Sequence, residues 1–190
     1  MNKKLAHFYD LIKAQSLNWD RHEKVYDFQT WKYHLLPVIQ NAIMLGEKHG
    51  GNTELLEVSA LFHDYANLVD FEKYSDVHHI ASGELAEPIL IKDGYDKDFV
   101  AKVKKCIFSH RGSVVHDKLS VEEICLADAD AMAHLQNIFQ VIMWMGQNKR
   151  TIEEGNKFVK NKIKNSFAKL SPPTKDLMQK RYDAIMEICF

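Results

Sequence analysis

The 190-residue chain contains 46% apolar and 27% charged residues, proportions typical of a protein that folds around an apolar core. Its 25 lysines and arginines nearly balance its 26 aspartates and glutamates. No overall basic field therefore exists that would hold nucleic acid or an anionic membrane surface. We expect a single domain spanning residues 1–190, with no nucleic-acid partner.

Targeting signals are also missing from the sequence. Residues 1–4 (MNKK) lead into a mixed polar and apolar stretch without the apolar core or cleavage site of a signal peptide. No window reaches the ~18 apolar residues that a membrane span requires. Cys106, Cys125 and Cys189 form no Cys-x-x-Cys pair, which is typical of reduced core thiols. We expect a cytoplasmic protein without membrane contact.

Apolar residues recur at three- and four-residue steps through most of the chain. This period predicts helices over residues 3–16, 28–48, 53–64, 79–91, 97–110, 121–144, 152–170 and 172–188. Pro37 lies inside the second helix and removes a backbone donor, so we expect either a kink or an α-helix that begins near Leu36. Residues 66–77 lack a period and are interpreted as a loop. Because no period-two alternation or tight hairpin turn occurs, the predicted fold is all-α.

Four chargeable residues interrupt the apolar stripes. His63 and Asp64 follow an apolar run, and His34 and Asp130 lie in the stripes of other helices. A buried carboxylate is normally paired, hydrogen-bonded or bound to a metal ion. This mixed nitrogen and oxygen set suits a six-coordinate Mn, Fe, Co, Ni or Mg ion better than a closed structural zinc site. Adjacent helical residues point about 100 degrees apart, so the His-Asp pair reaches one ion only at a helix end.

Structural interpretations of the same residues remain open. His34 could be a hydrogen-bonded core histidine, and Asp128 could replace Asp130 as the relevant carboxylate or be solvated. Roughly 200 degrees separate these two aspartates around the helix axis, which predicts that only one of them faces the core. Since Asp130 shares its face with His134, four residues later, we assign the buried position to Asp130.

The order of His34, then His63-Asp64, then Asp130 resembles the H…HD…D pattern of the HD-domain metal-dependent phosphohydrolase superfamily. Other segments are similar to its small bacterial and archaeal members. These segments are residues 31–38 (WKYHLLPV), 60–64 (ALFHD), 79–83 (HIASG), 107–111 (IFSHR) and 129–134 (ADAMAH). The resemblance covers residues 28–145 in detail and the predicted helices over residues 152–189 more loosely.

This resemblance implies an HD-domain-like helical bundle with a divalent metal ion in its core. The implied ligands are His34, His63, Asp64 and Asp130. In relatives with two ions, further histidines complete the second position, and Asp64 would be the bridging carboxylate. His79 and His110 match those places, either as ligands or as residues that orient ligands or substrate. Of the other histidines, His134 is a candidate partner for Asp130, whereas His78 and His116 are less favoured.

The implied activity is hydrolysis of a small phosphorylated compound, with a nucleotide as the expected substrate, by a metal-activated water. His63 and Asp64 would position the ion and its water, and Arg111 or Lys73 would contact phosphate. Many relatives carry a lysine shortly after the HD pair, but here residues 65–68 read YANL, which leaves the substrate open. There is no GYP extension, which argues against a cyclic dinucleotide phosphodiesterase.

Two other functions fit the same residues. A two-iron site on this scaffold can activate oxygen, so an oxygenase is the alternative enzyme class. A ligand-sensing domain could instead keep the metal pocket without turnover. The sequence leaves open the substrate, the metal, the number of ions and the oligomeric state.

Overall fold

The computed structural model describes residues 3–22, 29–111, 119–147 and 151–189, and every regular element within these ranges is helical. The α-helices are α1 (Ala6–His22), α2 (Leu36–His49), α3 (Thr53–Phe62), α4 (Tyr65–Val69), α5 (Phe71–Tyr74), α6 (His78–Lys92), α7 (Lys97–Ser109), α8 (Val121–Gln136), α9 (Ile138–Gln147), α10 (Ile152–Lys169) and α11 (Pro172–Cys189). A 3-10 turn (Lys3–Leu5) precedes α1, and a π-helical turn (Trp31–Leu35) precedes α2. None of the described helices is long and apolar enough to cross a lipid bilayer.

Helix α1 is longer than its apolar period predicts. It continues past residue 16 to His22, so the predicted end of this helix at residue 16 is wrong; residues 23–28 lie outside the described residues. The polar end of α1 is used in a tertiary contact, because buried Asp20 accepts hydrogen bonds from the backbone N–H and the hydroxyl of Thr30, at 3.1 and 2.7 Å.

Pro37 has the effect expected of it. Helix α2 begins at Leu36, and the preceding residues Trp31–Leu35 form a wider π-helical turn, in which the N–H of Leu36 bonds to the carbonyl of Trp31. A proline offers no N–H to the carbonyl four residues earlier and its ring crowds that carbonyl. The π-helical turn relieves this crowding, and it buries His34 and Leu35.

The predicted loop over residues 66–77 is wrong in part, because most of it is helical. Helices α4 and α5 occupy it, and each is too short to show an apolar period. The Ala66 N–H donates to Ser82 Oγ at 3.0 Å, and Asp70 caps α5 by accepting from the Lys73 N–H at 3.0 Å. The first contact attaches the segment to α6, and the second fixes the start of α5.

The predicted helix over residues 121–144 is interrupted at Asn137. This residue leaves the helical region, with φ −121° and ψ 52°, and its N–H caps α8 on the Ala133 carbonyl. Helix α9 then starts at Ile138 and packs against α10. A single non-helical residue leaves the apolar period intact on both sides, so the period alone does not reveal the break.

Helix α8 lies in the middle of the packing, in contact with α2, α3, α7, α10 and α11. Four alanines at alternate positions, from Ala127 to Ala133, are each at most 1% exposed, and such small side chains allow neighbouring helices to approach closely. Because five other helices contact α8, Asp128 and Asp130 are both buried, with 2% and 6% of their surfaces exposed. The prediction that only one of them faces the core is therefore wrong.

Asp128 has a structural partner. Its carboxylate accepts hydrogen bonds from the backbone N–H of Ser171, at 2.9 Å, and from the Ser171 hydroxyl. Ser171 lies in the turn between α10 and α11, so Asp128 ties that turn to α8.

Two of the three cysteines are buried free thiols, as their positions in apolar stripes predict. Burial raises the pKa of Cys106 to about 12 and that of Cys125 to about 11. Both thiols therefore remain protonated and unreactive at neutral pH.

We expect Asp128→Ala to lower the free energy of unfolding by about 1–3 kcal/mol, because the Ser171 N–H loses a charged acceptor in a partly buried turn. Urea denaturation of wild type and variant measures the difference. Asp183→Ala is the control, since this exposed carboxylate on α11 accepts a surface hydrogen bond from Gln179; it should change stability by less than about 0.5 kcal/mol. Equal losses in both variants would contradict the structural role of Asp128.

Candidate metal centre

The His63-Asp64 pair lies at the point where α3 ends. Helix α3 stops at Phe62, and Asp64 leaves the helical region with φ −111° and ψ 15° before α4 begins. The break allows two adjacent side chains to converge, so that His63 Nε2 lies 3.4 Å from Asp64 Oδ2. The requirement for a helix end at this pair is met.

His34 joins this pair from the π-helical turn. Its Nε2 atom lies 3.3 Å from Asp64 Oδ2 and 3.3 Å from His63 Nε2. His34 is 9% exposed and His63 is fully buried. Three potential ligand atoms therefore meet on one side of the Asp64 carboxylate.

Asp130 reaches the same place from α8. Its Oδ1 atom lies 3.7 Å from His34 Nε2, whereas its Oδ2 atom accepts a 2.6 Å hydrogen bond from Lys169 Nζ. Lys169 also donates to the His110 carbonyl at 3.1 Å. The lysine thus holds one oxygen of Asp130 and leaves the other facing the histidines.

The second oxygen of Asp64 faces a different pair of imidazoles. Asp64 Oδ1 lies 3.6 Å from His78 Nε2 and 3.9 Å from His110 Nε2, and it accepts a 3.1 Å hydrogen bond from Asn67 Nδ2. One carboxylate therefore lies between two groups of ligand atoms, each formed by side chains from several helices.

The sequence favours His79 over His78, but among the described residues His78 belongs to the ligand groups and His79 does not. His79 is buried, its ring lies against Phe108, and its Nδ1 atom is 3.3 Å from Arg111 Nη1. The two neighbours at the start of α6 point in directions about 100 degrees apart, so only one of them faces Asp64. A metal-binding role for His79 stays a prediction.

The histidines are held in one orientation by backbone carbonyls. The Nδ1 atoms of His63, His78 and His110 each lie within hydrogen-bonding distance of the carbonyl oxygen three residues earlier. A carbonyl oxygen only accepts, so Nδ1 must donate, and in the neutral ring Nε2 carries the lone pair. All three lone pairs are directed toward Asp64, which is the arrangement of metal-binding histidines.

A cation fits between these groups. Imidazole lone pairs and carboxylate oxygens are all acceptors, and they repel one another unless a positive charge lies among them. Metal bonds to these atoms are about 2.0–2.2 Å long, so neighbouring ligand atoms lie roughly 3–3.5 Å apart. Three observed spacings, 3.3, 3.3 and 3.4 Å, fall in this range, and the 3.7 Å spacing between His34 and Asp130 is slightly longer. The donor set suits a divalent transition metal or magnesium.

The electrostatics of the cluster favour ionised carboxylates. Burial alone would raise the pKa of Asp64, but when His63 is protonated its charge, together with hydrogen bonds from His34 and His63, holds the pKa of Asp64 well below its usual value. Burial acts against Asp130 in the same way, but the charge of Lys169 together with the neighbouring histidines holds its pKa well below the usual value. Burial and the charge of His63 lower the pKa of His110 to about 3. Two anionic oxygen donors and a neutral imidazole are therefore present at neutral pH.

His134 is close to Asp130, as its position four residues later predicts. Its Nδ1 atom lies 3.9 Å from Asp130 Oδ1 and 3.4 Å from Ser166 Oγ, and its ring stacks on His34 at 5.2 Å. With His34 and Asp130 it forms a third group of potential ligand atoms. The sequence signal for His134 is its helical spacing from Asp130.

The two cations suggested as phosphate contacts differ in position. Arg111 donates to the Asp76 carbonyl and lines the cavity described below. Lys73 is exposed, lies over the ring of its neighbour Tyr74, and is absent from the cavity lining. His116 lies outside the described residues.

A cavity of about 340 Å³ opens onto the cluster. Its lining includes three cationic side chains, Arg111, Lys162 and Lys169, and three large aromatic ones, Trp19, Phe71 and Trp144. Sequence reasoning missed Lys162 and Lys169. Both lie in α10, whose many lysines resemble a solvated surface until the helix is packed against α8.

The family model of the HD domain matches residues 31–135, more than half of the chain. The chain belongs to the HD domain family. The matched region contains every histidine and aspartate of the three ligand groups. The resemblance drawn from the ordered motifs is thus confirmed, and with it the all-α fold class.

Two solved structures share this fold. YpgQ from Bacillus subtilis is 18% identical, with a TM-score of 0.68 over 97% of this chain and 92% of that chain. A protein described as a predicted HD superfamily hydrolase, from an uncultured Thermotogales bacterium, is 20% identical, with a TM-score of 0.57 over 83% and 84% of the two chains. No curated protein sequence matches the chain.

We expect protein purified without chelator to carry one or two equivalents of a divalent metal ion, as measured by elemental analysis. Asp130→Ala should lose metal, because Asp130 Oδ1 faces His34. Asp128→Ala is the matched control, because it removes the same charge from the same helix. The wild-type Asp128 carboxylate bonds to Ser171 and not to the histidines. Equal metal content in the two variants would contradict the assignment. Absence of metal from wild type, with no thermal shift on adding Mn, Co or Ni, would overturn the metal centre itself.

Proposed function

We propose that this HD-domain chain is a metal-dependent phosphohydrolase that acts on a nucleotide. The observation that supports it most directly is the Asp64 carboxylate, which presents one oxygen to each of two histidine groups beside a cavity lined by cationic side chains. Membership of the HD domain family supports the hydrolase class.

The residues that would hold the first ion are His34, His63, Asp64 and Asp130. Those that would hold a second are Asp64, His78 and His110, with Asp64 bridging. When bound, a divalent ion lowers the pKa of bound water toward neutrality and offsets the charge that develops on a phosphoryl group. This chemistry requires both a lone-pair donor set and a nearby place for the phosphate.

The protein's own residues keep this donor set ready. Backbone carbonyls hold His63, His78 and His110 in the tautomer whose Nε2 faces inward. Asn67 and Lys169 each bond to one of the two carboxylates and fix its orientation. Such preorganised groups need little rearrangement when charge develops during the reaction.

A nucleotide is favoured over a simple phosphate ester by the aromatic part of the cavity. The ring of Phe71 lies 6.2 Å from that of Trp19 and 6.2 Å from that of Trp144, so the three form one aromatic cluster on the cavity wall. Nucleobases stack on such surfaces. A volume of about 340 Å³ also falls within the range of small-molecule sites, about 300–1,000 Å³.

We expect protein loaded with Mn or Co to release phosphate or pyrophosphate from a nucleotide. The panel contains nucleoside mono- and triphosphates, sugar phosphates and a generic phosphodiester. His63→Ala, purified identically, controls for contaminating phosphatase, because it removes a fully buried member of the ligand groups. Release by wild type that this variant lacks supports the proposal.

Absence of phosphate or pyrophosphate release by wild type from every compound in the panel would contradict a phosphohydrolase. Oxygen consumption by iron-loaded protein in a metabolite mixture would then favour the oxygenase. If neither hydrolysis nor oxygen consumption is detected and a ligand is retained through purification, a sensing domain is favoured.

We expect Trp144→Ala to lower kcat/KM for the nucleotide by tenfold or more, since stacking of a base on an aromatic side chain contributes about 1–3 kcal/mol. Hydrolysis of a base-free compound such as tripolyphosphate or a sugar phosphate should change little. Phe139→Ala is the matched control, because Phe139 lies on the same helix but is 79% exposed and absent from the cavity lining. An equal loss for base-containing and base-free compounds would contradict a stacking role.

A further inference from the structure

One face of α10 borders the cavity. Lys162, Asn165, Ser166 and Lys169 all line it, and their spacings of three, four and seven residues place them on a single side of the helix. Two of the four carry positive charge. Residues 65–68 (YANL), which follow the His63-Asp64 pair, supply none.

Lys169 is already engaged at the metal centre. It donates to Asp130 Oδ2 and to the His110 carbonyl, and its side chain is 12% exposed. Its charge is thereby offset by a carboxylate. The positioning of Asp130 accounts for this lysine.

Lys162 differs from Lys169 in its contacts. Among the residues that the structure describes, none forms a hydrogen bond or an ion pair with its ammonium group. The Lys162 side chain is partly buried, and this burial lowers the pKa of its ammonium group. The charge of Lys162 also acts on His134, whose pKa falls well below its usual value through burial and then through this lysine. Lys162 lines the same cavity as the ligand groups, and no described residue of those groups forms an ion pair with it.

An unpaired ammonium group in such a place lowers stability, because its hydration is not replaced by a hydrogen bond or a counter-charge. The cavity lining contains three cationic side chains and two carboxylates, one of which is paired with Lys169. Any divalent ion in the centre adds further positive charge. An anionic ligand would complete the coordination of Lys162 and balance the excess.

We propose that Lys162 binds a phosphoryl oxygen of the ligand in this cavity. Helix α10 would thus provide the positive charge that the segment after the His-Asp pair lacks. The identification of the anion as a substrate phosphate rests on the proposed function. The binding of a phosphate group by Lys162 is a separate claim and can be tested without turnover.

The test compares Lys162→Met with wild type, using Lys164→Met as control. Lys164 is an exposed lysine on the same helix, two residues away, so the control removes the same charge outside the cavity. Calorimetry with inorganic phosphate measures the dissociation constant of metal-loaded protein at several salt concentrations. We expect Lys162→Met to weaken phosphate binding about tenfold or more, in line with a lost charged hydrogen bond, and to reduce the salt dependence. The control should bind as wild type does.

Two further measurements separate phosphate binding from a structural role. Metal content should be unchanged in Lys162→Met, and its melting temperature without ligand should equal or exceed that of wild type, because the variant removes an unpaired charge. Lys162→Arg should retain much of the affinity. Where turnover is observed, Lys162→Met should raise KM more than it lowers kcat.

Wild-type affinity for phosphate in Lys162→Met would overturn the inference. Loss of metal or a lower melting temperature in this variant would overturn it as well, since either would show that Lys162 supports the structure. Phosphate binding that depends on Lys162, in a protein that hydrolyses nothing, would uphold the inference and refute the phosphohydrolase.

Discussion

The buried Asp64 carboxylate imposes the strictest requirement on this structure. Its two oxygens face imidazole nitrogens on opposite sides, at 3.3 to 3.9 Å. In the three rings whose Nδ1 donates to a backbone carbonyl, Nε2 presents its lone pair to Asp64. Such a gathering of acceptors is stable only with a cation among them. The helices must therefore end and turn where the ligands are needed: α3 stops before His63, α7 stops before His110, and the turn ahead of α2 is π-helical at His34.

The parts of this arrangement that the sequence predicts are those that act locally. Apolar periodicity predicts most helices because each buries one face in a common core. The same period exposes His34 and Asp130 as exceptions, since a chargeable group in an apolar stripe requires a partner. Pro37 predicts the start of α2, because a missing donor affects the backbone within one turn. The ordered motifs add the family, which no single residue conveys.

The parts that escape prediction depend on contacts between distant segments. Asp128 and Asp130 are both buried because several helices, including α2, α10 and α11, contact α8, whereas a helical wheel assumes a single buried face. Lys162 and Lys169 belong to a lysine-rich helix that resembles a solvated surface in sequence. Adjacent His78 and His79 differ only in direction, which the start of α6 sets through its attachment to the preceding helices.

The two aspartates of α8 connect the stability of the scaffold to the geometry of the site. Asp128 binds Ser171. Asp130 binds Lys169, which precedes Ser171 by two residues. Both carboxylates thus hold the end of α10 and the turn that follows it. Because Lys169 also bonds to the His110 carbonyl, displacement of this turn would disturb Asp130 and the end of α7 together. A structural hydrogen bond at Asp128 therefore limits how far the ligand atoms can move, although Asp128 itself is not among them.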